Sequence, residues 1–541
     1  MWTQVYQPVS DSLWLSALVS VIPIIYFFWA LAYRRTKGHI AGPVTVGLAL
    51  LIAVLVYQMP VALAGTSLGY GFLTGLFPIG WIIVTAVFLY KITVKTGQFD
   101  IIRSSIVSIT DDHRLQALLI AFCFGAFLEG AAGFGTPVAI SAALLAGLGF
   151  RPLYAAGICL IANTAPVAFG AIGIPIIVAG KTTGLDTMAI SEMTGRQLPF
   201  LTLFVPLWLI IIMAGWKGAR EVMPAILVTG GTFALVQYLS SNYLGPELPD
   251  VLSSLLSILA LVMLLKVWKP KTLFRFDRET YQAERGHFTH SPAQVFRAWS
   301  PFIILTLLII LWTIPTLKEQ LNKVTLEIPF PVLHEAVIQA KPIVPKASPY
   351  AAVFKLDWLA AAGTAIFFAS LVSLPFIGMK LSDWLKTLGE TVKELRFPLL
   401  TIVSVLGLAY IYNYAGMSAT LGLAMAGTGV LFPFFAPVLG WLGVFLTGSD
   451  TSSNALFGNL QKITAGQIGV DPTLTVAANS TGGVTGKMIS PQSIAVATAS
   501  TGMVGKEGDL FRFTLKHSLL FLLIVSIITM LQAYVFPWMI P

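Results

Sequence analysis

Residues 122–135 read Phe122-Cys-Phe-Gly-Ala-Phe-Leu-Glu-Gly-Ala-Ala-Gly-Phe-Gly135, an apolar segment with one carboxyl, Glu129, set among glycines. Glycine lets a chain break or another backbone come close, and an ionisable group in an apolar run is costly unless it is used. Part of the segment returns later in the chain, where Gly443-Val-Phe-Leu-Thr-Gly448 matches Gly125-Ala-Phe-Leu-Glu-Gly130. Beyond each copy, Ala162-Asn163-Thr164 matches Ala478-Asn479-Ser480. Gly170 and Pro175 then recur, at the same distances from the asparagine, as Gly486 and Pro491. Membrane helices share small residues by composition alone, but a preserved order of Asn, Gly and Pro marks an internal repeat.

The surroundings of these segments are those of a membrane protein. Of the 541 residues 56% are hydrophobic and 11% are charged, where a soluble domain would carry roughly twice that charged fraction. Apolar stretches near the ~20 residues needed to cross a bilayer recur from one end to the other. The chain therefore reads as one transmembrane transport domain over residues 1–541. The first apolar run, residues 13–33, is too long for a cleavable signal core and ends in Arg34-Arg35, so it reads as a retained span.

Lys and Arg collect in cytoplasmic loops, and they orient the spans. Arg34, Arg35 and Lys37 follow the first span; Lys91, Lys95 and Arg103 follow a third near residues 70–90; Lys217 and Arg220 follow a sixth near 198–215. Residues 266–297 hold Lys266, Lys269, Lys271, Arg275, Arg278, Arg285 and Arg297. Lys380, Lys386, Lys393 and Arg396, then Lys506, Arg512 and Lys516, complete the inside set. The stretches 65–70 and 241–250 read as external loops, the second bearing only acids, Glu247 and Asp250. A long external loop covers 317–355. The fold expected is an all-α polytopic protein of about twelve membrane helices, with both ends outside. Two irregular regions, 115–149 and 437–467, enter and leave on one side as re-entrant or broken helical hairpins. The net charge of +9 is thus a topology signal, with membrane lipid rather than nucleic acid as the surrounding partner.

The first repeat core, about 95–181, is entered from inside and the second, about 414–505, from outside, so the two are inverted. Inverted repeats with Gly/Pro-interrupted helices are the architecture of secondary transporters, whose substrate and coupling-ion sites lie at mid-membrane between the copies. Three ionisable residues stand out in these segments: Glu129, Asp450 and Lys487. A carboxyl in such surroundings can take up and release a proton, which makes Glu129 and Asp450 the proton-coupling candidates. Each can instead cap a half-helix or pair with a lysine. Lys487 requires an anion: Asp450, Glu129 or a substrate carboxylate. The glycines before it superficially suggest a phosphate-binding loop, but Met488 stands where that loop needs Ser or Thr. Asn163, Thr164, Asn479, Ser480, Thr451, Ser453, Asn454, Ser490 and Gln492 supply short polar groups around the breaks, either for substrate or as helix-to-helix hydrogen bonds. Cys123 and Cys159 read as packing residues. His39, His113, His287, His290, His334 and His517 all read as loop or span-end residues, so no metal site, cofactor or catalytic triad is expected and the protein reads as no enzyme.

The opening segment resembles the bacterial L-lactate permease family. So do Asn163-Thr-Ala-Pro-Val-Ala-Phe-Gly170, Gly448-Ser-Asp-Thr-Ser-Ser-Asn-Ala-Leu456 and Asn479-Ser-Thr-Gly-Gly-Val-Thr-Gly-Lys-Met-Ile-Ser-Pro-Gln-Ser493. The likeness also takes in Lys95-Thr-Gly-Gln-Phe-Asp-Ile-Ile-Arg103 and Asp509-Leu-Phe-Arg-Phe-Thr514. The resemblance implies uptake of L-lactate, with D-lactate and glycolate, in symport with protons across the bacterial cytoplasmic membrane; glycolate permeases look similar. The competing class is a passive facilitator or channel for small monocarboxylates, which needs the same pore-lining groups but no titrating carboxyl. An ATP-driven pump would need a nucleotide-binding domain, and none is visible in the sequence.

Overall fold

The structure is a computed structural model that describes every residue except Arg35, Ala132, Phe134, Gly135, 277–289 and Gly505. Arg278, Arg285 and His287 of the basic loop, and three residues of the opening motif, therefore lie outside the described residues. Among those described, eleven helices are long and apolar enough to cross a membrane, or twelve when the bent pair Pro152–Ala162 and Val167–Thr183 counts as one. The chain is a multi-pass, all-α membrane protein. Lipid-exposed backbone has no water to bond to, so the helix, which satisfies its own N–H and C=O groups, is what such a composition must form.

Of two stretches expected as external loops, 65–70 is helical throughout and 241–250 keeps only 244–248 as a connection. Residues 65–70 lie inside the helix Val61–Thr74, which continues through a bend at Gly75–Gly80 into Trp81–Lys95. The absence of positive charge there suggests an external loop, but the stretch is helical, and just beyond it Gly71 and Gly75 serve close packing against the backbone of Gly407 and Val403. Residues 241–243 end the helix Met223–Tyr243, and Asp250 opens the helix Pro249–Val267, buried at 1% exposure. His517 also departs from expectation. It sits inside Glu507–Tyr534, where its Nδ1 accepts a hydrogen bond from Trp208 at 3.0 Å.

The same order of elements occurs twice. A hairpin made of 113–131 and Thr136–Gly147 is followed by the bent pair 152–183 and the long helix Thr187–Glu221. A second hairpin, Phe432–Thr447 and Asp450–Ile468, is followed by Pro472–Lys487, a break, Pro491–Ser500 and Glu507–Tyr534. The second hairpin and its broken helix approach closely because small residues interleave. Gly440 lies against the backbone of Asn479, Gly482 against that of Pro437, and Gly486 against that of Trp441, the small-residue contact that membrane helices use in place of a hydrophobic driving force.

The basic segments gather on one face. Arg114 is 1% exposed and holds Asp112 with two bonds, at 3.1 and 2.8 Å, while its other nitrogen reaches Glu221 at 2.8 Å. It also donates to the carbonyl of Thr272, so the start of the first hairpin is tied to the loops after two later helices. Lys91 and Lys95 pair with Glu394 and Glu390 on the same side. Arg114→Met removes the guanidinium that holds the buried Asp112 and should destabilise the fold by about 3–5 kcal/mol. The check is the Tm of the purified protein in detergent, expected to fall while Arg103→Met, at an exposed pair, leaves it near wild type.

The opposite face carries two small sheets. Trp2–Thr3 pairs in parallel with Val337–Ile338 of the strand Val337–Gln339, whose Ile338 and Gln339 pair antiparallel with Pro349 and Ser348, and Leu326–Pro329 pairs antiparallel with Val353–Leu356. Gln4 donates to the carbonyls of Asn413 and Tyr414, both at 2.8 Å, so this layer sits over the end of the helix Leu381–Ala415.

Candidate functional site

Both breaks and the tip of the second hairpin have local causes. The first bent helix unwinds after Ala162, makes a 3-10 turn over Val167–Phe169, and passes through the left-handed region at Ala171, Ile172 and Gly173 (φ 45, 59 and 72°). Such values are sparsely populated by residues with a side chain and persist only where the surrounding structure holds them. The second broken helix stops at Lys487. Ser490 then caps the following piece by accepting from Ser493 N at 3.2 Å, with Pro491 at its first position. The second hairpin turns at Gly448 (φ 72°), and Ser449 caps the returning helix by accepting from Ser452 N at 3.2 Å. Capping thus falls to Ser449 and leaves the neighbouring Asp450 carboxyl uncommitted.

The tips and breaks of both copies meet at one cavity of about 90 Å³, lined by Glu129, Gly170, Asp450, Thr451, Lys487 and Gln492 among others, with Ile83 and Ile402 closing it from neighbouring helices. Inside it, Lys487 Nζ donates to Glu129 Oε1 at 2.9 Å, and the two side chains are 11% and 4% exposed. The pair joins the tip of the first hairpin to the break of the second copy. Gly170 makes room for it: a Cβ there would lie 2.8 Å from Glu129 Oε1. Lys487 also closes the last turn of its helix, where a cation offsets the partial negative charge of the unpaired carbonyls. The N-termini of Asp450–Ile468 and Pro491–Ser500 both reach the cavity, adding two positive dipole ends suited to a carboxylate.

Two further carboxyls are buried close by. Asp450 is 3% exposed and packs on Gly483; the Ser480 hydroxyl is near it, but neither carboxyl oxygen makes a well-formed hydrogen bond among the described residues. Neither oxygen of Asp250 makes one among them either. It lies against Gly130, the residue after Glu129: a Cβ on Gly130 would be 2.6 Å from that of Asp250. Sequence reasoning missed Asp250 by placing it in an external loop. The only signal was an aspartate at the first turn of an otherwise apolar helix, and it does not reveal that the turn before it descends onto Gly173, whose missing side chain leaves room for Pro246.

The other polar candidates divide. Thr451 and Gln492 line the cavity. Ser453, Asn454, Asn479 and Ser480 form a net that fastens the second hairpin to its broken helix. Asn454 donates to Ser480 Oγ at 2.5 Å and to Pro175 O at 3.0 Å, and Asn479 donates to Asn454 Oδ1 at 2.9 Å and Ser453 Oγ at 3.3 Å. Ser490 is engaged as a cap. Asn163 and Thr164 are buried at the first break with side-chain polar atoms that meet no partner among the described residues.

The profile of the L-lactate permease family matches residues 16–536. The chain belongs to the L-lactate permease family. The permease is 60% identical to the L-lactate permease of Bacillus subtilis (strain 168) and 58% identical to that of Escherichia coli (strain K12), over 100% of both chains in each case. It is also 57% identical to the glycolate permease GlcA of Escherichia coli (strain K12), over 99% of both chains. Among solved structures, Neisseria gonorrhoeae MtrF, of a class of antimetabolite efflux pumps, superposes with a TM-score of 0.50. That match covers 94% of the permease and 97% of the other chain at 12% identity, a likeness of fold alone.

Proposed function

We propose that the permease is a proton symporter for L-lactate and related small 2-hydroxy monocarboxylates, including D-lactate and glycolate, taking them up across the bacterial cytoplasmic membrane. The observation that carries this reading is the buried Glu129–Lys487 pair in a cavity built by both hairpin tips and both breaks. In the proposed cycle an arriving carboxylate competes with Glu129 for the Lys487 ammonium, and the hydroxyl of Thr451 and the amide of Gln492 meet the substrate alcohol. Glu129 pairs with the Lys487 ammonium, Asp450 lines the same cavity, and Asp250 is buried against Gly130 beside it. Burying that many negative charges in hydrocarbon is costly unless protons accompany them, which suits the cluster to carry a proton with the substrate. The two copies are read as inverted repeats that rock against each other around this cavity. The permease names of relatives at 57–60% identity support the cargo.

The test is uptake of labelled L-lactate into vesicles containing the purified protein, alkaline inside. Accumulation above the external concentration is expected, abolished by a protonophore and competed by D-lactate and glycolate. Equilibration without accumulation would identify a facilitator, and failure of every monocarboxylate to enter would remove the cargo assignment.

A further inference from the structure

A second cavity is larger than the central one. A space of about 470 Å³ opens beneath the 323–361 layer, walled by Tyr70, Tyr350, Tyr410 and Tyr414 and floored by the ends of two membrane helices. Among the described residues its formally charged lining is Lys181 and Lys462, with no Asp or Glu. Lys462 is half-buried, and its Nζ donates to Thr183 O at 2.6 Å. An ammonium carries three protons, so donors remain for an anion. Beside it Asn459 gives its Nδ2 to Asn413 Oδ1 at 2.9 Å, which leaves its own carbonyl oxygen as an acceptor. Tyr350 stacks on Tyr414 at 4.4 Å between centroids, and burial pushes the Tyr350 phenol up, so its hydroxyl stays a neutral donor.

The two helices that floor this space are those that build the central cavity. Gly170–Thr183 places Pro175 at one and Thr183 at the other, and Asp450–Ile468 places Thr451 at one and Lys462 at the other. The separation along the second helix is about 16 Å, at ~1.5 Å per residue. The helices touch between the cavities, where Asn454 bonds Pro175 O. We propose that the outer cavity is a second binding station for the transported carboxylate, with Lys462 and Lys181 as its anion ligands, Asn459 receiving the 2-hydroxyl, and the tyrosines covering the apolar side. This rests on the reading of the chain as a monocarboxylate transporter. Cations at a mouth with low-dielectric walls raise the local concentration of an anion before it reaches the deeper site.

Equilibrium binding of labelled L-lactate to the full chain in detergent tests it, beside uptake kinetics in vesicles. Wild type is expected to bind two lactates per chain, Lys462→Met one, and Lys462→Arg two. In uptake, Lys462→Met should raise KM about tenfold, the loss of one charged hydrogen bond, with kcat little changed. Lys181→Gln should raise KM in the same direction and guards against misfolding of the first variant. One lactate per wild-type chain, or two with unchanged KM in both variants, would overturn the station while leaving the transporter reading intact. Displacement of the second lactate by inorganic phosphate as readily as by glycolate would also overturn it. A wild type that neither binds nor transports lactate would bring down both readings.

Discussion

Lys487→Met should abolish uphill uptake, lowering it at least about a hundredfold, and should also lower stability by about 3–5 kcal/mol, because Glu129 is left as a buried carboxyl without its cation. The two effects have different remedies. Adding Glu129→Gln removes the orphaned charge, so the double variant should regain most of the lost Tm, yet it lacks the ammonium that a substrate carboxylate would approach. Recovery of stability without recovery of transport is the expected pattern, measured by thermal unfolding in detergent and by lactate uptake in vesicles of matched protein content. A double variant that accumulates lactate down a pH gradient would show that the pair only holds the hairpin tip in place.

Gly482→Val is expected to prevent recovery of monodisperse protein. A Cβ at this position would strike the backbone of Pro437, and neighbouring Gly440 and Gly486 leave the two helices no other way to sit. Separating them opens the net of Asn454, Asn479 and Ser480, whose buried amides then lose partners at a cost of about 1–3 kcal/mol each. Gly231, also in a membrane helix, has open space where its Cβ would stand. Gly231→Val should insert and purify like wild type, and gel-filtration profiles of the two variants side by side are the measurement. Equal profiles would mean that the close approach at Gly482 is dispensable.

How far the sequence reached follows from which physics is local. Span length and the placement of Lys and Arg are properties of short windows, so the membrane class and the count near twelve were readable, as were the hairpins at 115–149 and 437–467, rich in Gly, Ala, Ser and Thr. Glu129, Asp450 and Lys487 were readable because charge inside an apolar run is conspicuous. Asp250 was not, because its burial comes from a turn descending onto Gly173, a contact between segments far apart in the chain. Nor could composition sort the amides and hydroxyls: Asn454 and Gln492 look alike as polar groups near a break, yet one fastens helices and the other lines the cavity. Residues 65–70 misled because a stretch without Lys or Arg is what both an external loop and the interior of a membrane helix look like. The outer cavity draws its lining from five separated parts of the chain, and no one of them announces it.

The pairing of Trp2–Thr3 with Val337–Ile338, and of Gln4 with Asn413, 409 residues away, sets an order of assembly during biosynthesis. The first strand has no partner when the ribosome releases it. At ~5–20 residues per second, tens of seconds pass before its acceptors are made. The earliest part of the chain is therefore among the last to be secured, and closure of the layer over the outer cavity is a late maturation event that only a fully inserted second half can permit.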